Sequence, residues 1–447
     1  MSLNDEQQRC FEEFKTGQSL VITGPAGCGK SYLIGKIKEY CHDNMINVAI
    51  TALTGAAASL IGGVTLHGWG GIGLAKGSAK EIYQGMSRYR RENIKKWYDT
   101  KVLVVDEISM MDASLFNKLH LLAQIIRKDN ENLFGGMQVV LCGDFAQLKP
   151  IPEKGCPVKF AFESCIWKRC LTEHTFYLNE IIRQSDPVFQ ELLRRIRLGE
   201  YTAKDRELLN SRLITDLSDA DVTVDMQDGT EQTIQATLLY PKRKDVARNN
   251  DMKLGKLLKE KVRSKTFTAE DTVIARKSRM LVSMTEKHIK VINSCTNAID
   301  KLVLCVGAQV MLVKNLDQEK QLVNGSRGVV TDIDGYGLPV VLFDNGEEMT
   351  MQYERFETES GDSIYTRKQI PLILGWALTI HKCQGTSLSS VITDLTEVFD
   401  EAQVYVTLSR ARSIEGLFIV NLNYSKIKCN ARVKKYYKAL EERLLIK

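Results

Sequence analysis

GPAGCGKS, Gly24 to Ser31, decides the fold of this chain. It fits G-x-x-x-x-G-K-[ST] at every position, follows the apolar run LVIT (Leu20–Thr23) and precedes a helical pattern. Strand, glycine turn and helix in that order make a phosphate-binding loop. Gly27 and Gly29 let the backbone fold tightly, so that its N–H groups and the following helix N-terminus face the phosphates. Gly24, Ala26 and Cys28 complete the cradle. Lys30 is then placed to reach the β- and γ-phosphates of ATP, and Ser31 to ligate Mg²⁺. The alternative is a chance glycine-rich turn, which the flanking strand and helix argue against.

Three further apolar runs, Val48–Ala52, Val102–Val105 and Gln138–Cys142, end like the first where polar or glycine residues begin. Short apolar runs alternating with helical patterns indicate an α/β fold with a parallel sheet, whose ligands bind at the strands' carboxyl ends. VLVVDEIS (Val102–Ser109) carries Asp106 out of an apolar strand, where a carboxylate is costly unless it meets a cation. Asp106 is therefore assigned to Mg²⁺, largely through the metal's water shell, and Glu107 to polarising the attacking water; a solvated turn is the bland alternative. In CGDFAQLKP, Gln147 lies three residues after Asp144 and is placed to sense the γ-phosphate, unless it is a surface glutamine.

At 447 residues the chain is too long for one core and suggests about two or three domains. Its 61 Lys+Arg against 55 Asp+Glu leave a net charge of +6, too small to prove nucleic-acid binding but compatible with a local basic groove. The 11 cysteines are scattered, odd in number and without a CxxC pair, which favours reduced thiols over disulfides or a zinc site. No apolar secretory core opens the sequence, Asp5, Glu6, Glu12 and Glu13 disfavour a mitochondrial transit peptide, and no run is long enough to span a bilayer. A soluble intracellular protein is expected, with nucleus, cytoplasm and viral replication site left open.

Gly68–Tyr98 begins glycine-rich and turns basic (SRYRRENIKKW), and reads as an insertion. Phe189–Glu200 has helical apolar spacing. Ala236–Tyr240, Ser390–Asp394 and Gly416–Val420 suggest a second α/β unit. Between its parts, NGSRG, DGYG and DNG alternate with strand-like runs, the texture of a small antiparallel barrel. The basic tail Tyr424–Lys447 reads as an amphipathic helix.

Taken together, these residues resemble the petite-integration-frequency helicases of superfamily one, B class, relatives of RecD. The resemblance runs from about Leu3 to Asn423 through LNDEQ, TALTGAAASLIGGVTLHGWGGIG, VVDEISMMDA, FGGMQVVLCGDFAQLKP, KFAFES, LNEIIRQ, FQELLRRIRLG, LVNGSRG, GWALTIHKCQGTSL and VYVTLSRAR; Lys259–Lys301 is only loosely similar. It implies two RecA-like P-loop motor domains with parallel sheets, a small insertion in the first and a small antiparallel β-barrel inserted in the second. The expected division is 1–190 for the first motor domain (insertion about 68–98), 191–255 for a linker helix and the start of the second, 256–366 for the barrel, 367–425 for the rest of the second, and 426–447 for a basic helix.

The implied activity is ATP-dependent 5′-to-3′ movement on single-stranded DNA with unwinding of duplex DNA, in replication, repair, recombination or telomere maintenance. The resemblance makes Gln7 the adenine contact, adds Gly385 to the nucleotide-binding residues, and turns Arg183 and Arg410 toward the nucleotide from the second domain, as charge-neutralising arginines rather than structural ion pairs. For the strand, phosphate contact and base stacking are wanted. Thr54 and Gly55, Thr65 and His67 in TLHGW, and Thr379, His381 and Lys382 in TIHKCQG offer the former. Trp69 and Phe145 offer stacking or simply packing, and SRYRRENIKK acts at the duplex junction or is a solvated face. The expected partners are single-stranded DNA and forked or tailed duplexes, with RNA–DNA hybrids and G-quadruplexes to be tested, no membrane, and a monomer or transient DNA-bound dimer.

Two rivals are weaker. A remodelling or packaging ATPase shares Lys30, Asp106 and Glu107 but usually takes its arginine from a neighbouring subunit. A relic nucleotide site needs a damaged P-loop, and every catalytic position here is filled.

Overall fold

A computed structural model describes residues 2–446 except 74, 90, 151–156, 218–221, 226–230, 276–277, 318, 361–362, 381–382 and 384. The chain divides into two compact units. Unit 1 holds Met1–Ile182 with Thr272–Thr296 and Glu357–Thr366; unit 2 holds Arg183–Asp271, Asn297–Phe356 and Arg367–Lys447.

Unit 1 is built on a six-stranded sheet. Its strands are β1 (Leu20–Thr23), β2 (Val48–Ala52), β3 (Val64–Thr65), β4 (Val102–Asp106), β5 (Gln138–Gly143) and β6 (Thr175–Tyr177), in the order β3-β2-β4-β5-β1-β6. Every pairing is parallel. Parallel sheets are covered on both faces, so their strands must be apolar throughout; β1 and β4 are buried at every residue. The four runs read from the sequence are β1, β2, β4 and β5.

The helices of this unit include α1 (Asp5–Lys15), α2 (Lys30–Asp43), α3 (Gly55–Leu60), α4 (Leu66–Gly70), α5 (Ala79–Tyr89), α6 (Arg91–Asp99) and α7 (Ala113–Arg127). Asn4 opens α1 with a capping box, its side chain accepting from the Gln7 N–H while the Gln7 side chain accepts from the Asn4 N–H. Leu20, Ile22, Val104 and Val140 of the sheet share one core with Leu33, Ile34 and Ile37 of α2. The glycine-rich and basic stretch forms α4, α5 and α6, and α5 and α6 pack on α7. Its anchor is Trp97, fully buried, whose indole N–H donates to the Gly70 carbonyl at 2.9 Å. Arg127 of α7 donates to the carbonyls of Trp97, Tyr98 and Thr100. Arg90, inside SRYRRENIKK, lies outside the described residues.

Unit 2 carries a four-stranded parallel sheet in the order Ala377–Thr379, Thr237–Tyr240, Val391–Asp394, Leu417–Asn421. It also holds an antiparallel five-stranded sheet, Glu348–Thr350, Pro339–Phe343, Arg327–Ile333, Gln309–Leu312 and Leu372–Leu374. An antiparallel pair, Ser264–Thr268 with Lys301–Cys305, lies over the same core, since Phe267 and Leu302 cluster with Val310, Val330, Val341 and Leu372. Arg327 joins this antiparallel part to the parallel sheet, donating to Ser389 Oγ at 2.8 Å and to the Gln235 carbonyl at 3.1 Å. The expected linking helix is Pro187–Arg197, capped by Asp186. The C-terminal helix is Ala431–Ile446, and Tyr437 from it lies under the Arg197 guanidinium at 4.0 Å.

Cys10, Cys28, Cys41, Cys142, Cys165, Cys170, Cys305, Cys383 and Cys429 are free thiols. No helix among the described residues is long and apolar enough to cross a membrane.

Candidate functional site

The loop after β1 shapes an anion cradle. Gly29 takes a left-handed conformation (φ 80°, ψ 19°) at the N-cap of α2, and no side chain caps that terminus. The first N–H groups of a 14-residue helix are thereby directed at whatever sits in the loop. Gly24 is the tightest point: a Cβ there would lie 2.2 Å from the Leu178 carbonyl oxygen. Lys30 folds back over the loop and donates to the carbonyls of Gly24 (2.8 Å) and Pro25 (2.7 Å), acceptors that stand where phosphate oxygens would compete. It also lies 3.4 Å from Cys28 Sγ. Burial works against the Lys30 charge, but Cys28, Asp144, Cys142 and Glu107 around it outweigh that, and its pKa is raised. Ser31 is exposed near the start of α2.

Asp106 ends β4 and is buried. Burial raises its carboxyl above the usual aspartate range, against the Glu107 N–H, the Lys30 ammonium and Cys142. A carboxyl so placed has a reason to meet a cation. Glu107 itself is strained: φ is 55° and ψ 43°, the left-handed region that non-glycine residues rarely adopt. The turn beyond it presses on Gly143, where a Cβ would sit 2.8 Å from the Ile108 nitrogen. Gln147 is buried in the turn that follows β5, its N–H donating to the Asp144 carbonyl at 2.9 Å. Lys30, Ser31, Asp106, Glu107 and Gln147 thus lie on the loops at the carboxyl ends of β1, β4 and β5, three adjacent strands.

Gln7 lies against the same loop. It is 1% exposed and donates to the Cys28 carbonyl at 3.4 Å. The segment LNEIIRQ runs alongside: the N–H of Leu178 donates to the Thr23 carbonyl and that of Ile182 to the Gly27 carbonyl. Glu6 accepts from the N–H groups of Asn179 and Glu180. The Asn4 amide donates to the Glu180 carboxylate at 2.6 Å, and these Asn4, Glu6 and Glu180 supports were not legible in the sequence, because their partners are remote in the chain.

Arg183 and Arg410 belong to unit 2. Arg183 is half-buried and donates to the Ser409 carbonyl (3.2 Å) and the Gly385 carbonyl (3.4 Å). Arg410 is 1% exposed, with its guanidinium turned onto its own unit. Nε donates to the Val406 carbonyl, one terminal nitrogen to the Cys383 and Thr386 carbonyls, and the other to Ser409 Oγ.

For the strand, Ala52 pairs with Thr65, so the residues following β2 and β3 share one corner of unit 1. Thr54 Oγ accepts from the Ala57 N–H, Gly55 begins α3, and Thr65 Oγ caps α4 by accepting from Gly68. His67 in α4 is half-buried, and burial lowers its pKa. Thr379 is buried at the end of its strand in unit 2; His381 and Lys382 lie outside the described residues. The stacking reading of Trp69 and Phe145 is corrected. Trp69 packs on Trp97, ring centroids 4.7 Å apart, and Phe145 lies in a cluster with Phe160, Phe162 and Trp167. Both are buried, so neither ring is free to receive a base.

The sequence matches the PIF1-like helicase family over residues 2–207 and the DNA helicase Pif1 2B domain over residues 291–333. It is 37% identical to the human ATP-dependent DNA helicase PIF1 across 98% of this chain, and spans 64% of that protein's length. Among solved structures it is similar to the Pif1 helicase of Candida albicans, with a TM-score of 0.76 and 34% identity over 98% of this chain and 100% of that one. It is also similar to the Bacteroides Pif1 helicase in complex with ADP-AlF3 and single-stranded DNA, with a TM-score of 0.66 and 25% identity over 99% of this chain and 98% of that one. The chain belongs to the PIF1-like helicase family.

Proposed function

We propose that this chain is an ATP-dependent DNA helicase that moves 5′-to-3′ along single-stranded DNA and unwinds the duplex ahead of it. The observation that carries this reading is the cradle at α2: an uncapped helix terminus, a lysine held by loop carbonyls and one thiol, and a strained glutamate at the end of β4. Loop glycines and N–H groups receive the triphosphate, and Gln7 reads the adenine. Lys30 exchanges the Gly24 and Pro25 carbonyls for phosphate oxygens. Glu107 orients and polarises the attacking water, and Gln147 senses the γ-phosphate. Ser31 and Asp106 would hold Mg²⁺, which supplies charge neutralisation for the transferred phosphoryl group when bound. Arg183 and Arg410 add positive charge during hydrolysis, with Gly385 beside them.

Thr54, Gly55, Thr65 and His67 of unit 1, and Thr379, His381 and Lys382 of unit 2, are read as contacts to the DNA backbone. The parallel sheets are read as two motor domains, with 256–366 as an insert in the second. Single-stranded DNA and forked or tailed duplexes are the proposed substrates, in support of which stands the DNA-bound Bacteroides relative. Unwinding of RNA–DNA hybrids or G-quadruplexes, and monomer or transient dimer on DNA, belong to the same proposal, as do roles in replication, repair, recombination or telomere maintenance.

A strand-displacement assay with 5′- and 3′-tailed duplexes, with and without ATP, tests it. ATP-dependent release from the 5′-tailed duplex alone is expected. Turnover that single-stranded DNA does not stimulate, with no displacement from either substrate, overturns the reading.

A further inference from the structure

We propose that Gln184 is a positioning residue that holds the loop carrying Arg410 in register with Arg183; this rests on the proposed ATPase reading. Gln184 is 1% exposed and sits one residue after Arg183. Its amide nitrogen donates to the Ala411 carbonyl at 2.8 Å and lies 3.4 Å from the Ser409 carbonyl. One side chain therefore bridges the carbonyls of the two residues that flank Arg410. Arg183 donates to the same Ser409 carbonyl. The dipeptide Arg183–Gln184 is laid across the Ser409–Ala411 loop, and these bonds tie the backbone that carries one guanidinium to the backbone that carries the other within unit 2.

Two further contacts make this a built arrangement. Gln190, from the helix Pro187–Arg197, donates to the Gln184 carbonyl at 2.6 Å and fixes the backbone from the other side. That helix also packs on the helix Gln403–Leu408 that leads into Arg410. The side-chain amide oxygen of Gln184 has no hydrogen-bond partner among the described residues. The amide is thus used as a donor alone, a task that methionine of similar length cannot perform and glutamate would oppose by facing two carbonyls with a negative charge. Gln184 touches no reacting atom. It acts through the arginines, and small misplacement of such groups is costly in rate.

The test compares wild type, Gln184→Met, Arg410→Lys and the double variant, using steady-state ATPase with saturating oligonucleotide, fluorescent-ADP binding and thermal melting. Wild type that shows DNA-stimulated turnover supports the underlying reading; wild type without it overturns that reading and this proposal together, whereas active wild type with an unaffected Gln184→Met overturns the proposal alone, so the two failures are distinguishable. Given active wild type, Gln184→Met should lower kcat by about 10- to 100-fold, with ADP affinity, KM for ATP and DNA affinity within about twofold. Added to Arg410→Lys it should lower kcat by less than about twofold more, because groups acting as a unit are not additive. An unchanged kcat, a loss confined to KM, or an undiminished further loss in the Arg410→Lys background would overturn the proposal. Should Gln184→Met not bind fluorescent ADP, Gln190→Met takes its place. It removes only the outer brace, and should lower kcat in the same direction; an unchanged kcat there is equally fatal.

Discussion

Replacing Glu107 by glycine should make the chain more resistant to heat while removing its catalysis. Glu107 sits at φ 55°, where a side chain costs about 1–2 kcal/mol that glycine does not incur. Glycine gives back about 0.5–1 kcal/mol through its greater freedom in the unfolded chain. The difference leaves a gain of about 0.5–1 kcal/mol. For a unit of this size each kcal/mol moves the melting point by about 2–4 °C, so Glu107→Gly should melt about 1–4 °C higher. The right reference is Glu107→Gln, which also removes the carboxylate beside Lys30 but keeps the strained backbone. Both variants should fail to turn over ATP in an oligonucleotide-stimulated assay while still binding a fluorescent nucleotide. A glycine variant that melts no higher than the glutamine variant would refute the strain argument. Near-normal turnover in either would remove Glu107 from its role.

Lys30→Ala should abolish hydrolysis and unwinding while leaving oligonucleotide anisotropy largely unchanged; parallel loss of DNA binding would make Lys30 structural. Gly24→Ala should lose nucleotide affinity and lower the melting point, since its Cβ falls 2.2 Å from the Leu178 carbonyl at φ 153°; a normal melt and normal fluorescent-ADP affinity would show that LNEIIRQ yields freely. His67, its pKa lowered by burial, is neutral at pH 7, so His67→Ala should weaken DNA binding without altering the slope of log affinity against log salt; a shallower slope would show an ionic contact. His120 accepts the Phe134 N–H at 3.1 Å, and burial, then Arg169, lower its pKa. The folded state therefore excludes a proton that the unfolded chain accepts near pH 6.5, and this stability is complete above that value and is lost as pH falls through the folded pKa. Melting curves from pH 7.5 to 5.5 should show a fall that His120→Asn reduces; equal falls in both would clear His120.

The sheet of unit 1 was legible because burial on both faces forces a simple composition. LVIT and VLVVD have no polar residue before their last position, and the chemistry follows directly after each. Arg183 and Arg410 could be named from the resemblance but not their present bonding, since a guanidinium that satisfies itself on Val406, Cys383 and Thr386 is a property of the folded loop. Gln184 closes the recognisable segment LNEIIRQ, but nothing there told of its bonds, because the carbonyls its amide nitrogen meets lie 225 and 227 residues away. Trp69 and Phe145 stayed open between stacking and packing because an aromatic in a glycine-rich or polar segment reads the same whether it receives a base or fills a core. Only the neighbours Trp97 and Phe162, brought in by the fold, decide between them. Glu107's left-handed backbone was likewise invisible, because nothing in DEIS marks a residue that is neither glycine nor asparagine for that conformation.

The contact between Trp69 and Trp97 equips the chain with a built-in optical reporter. Two indoles 4.7 Å apart and tilted by 41° share their excited states and produce a paired circular-dichroism band of opposite signs. α4 carries His67 and Trp69 and ends at Gly70, whose carbonyl holds the second indole, so any rearrangement at that corner changes the coupling. With only four tryptophans in the chain, the signal is simple enough to follow by eye during a titration, without a dye or a tag.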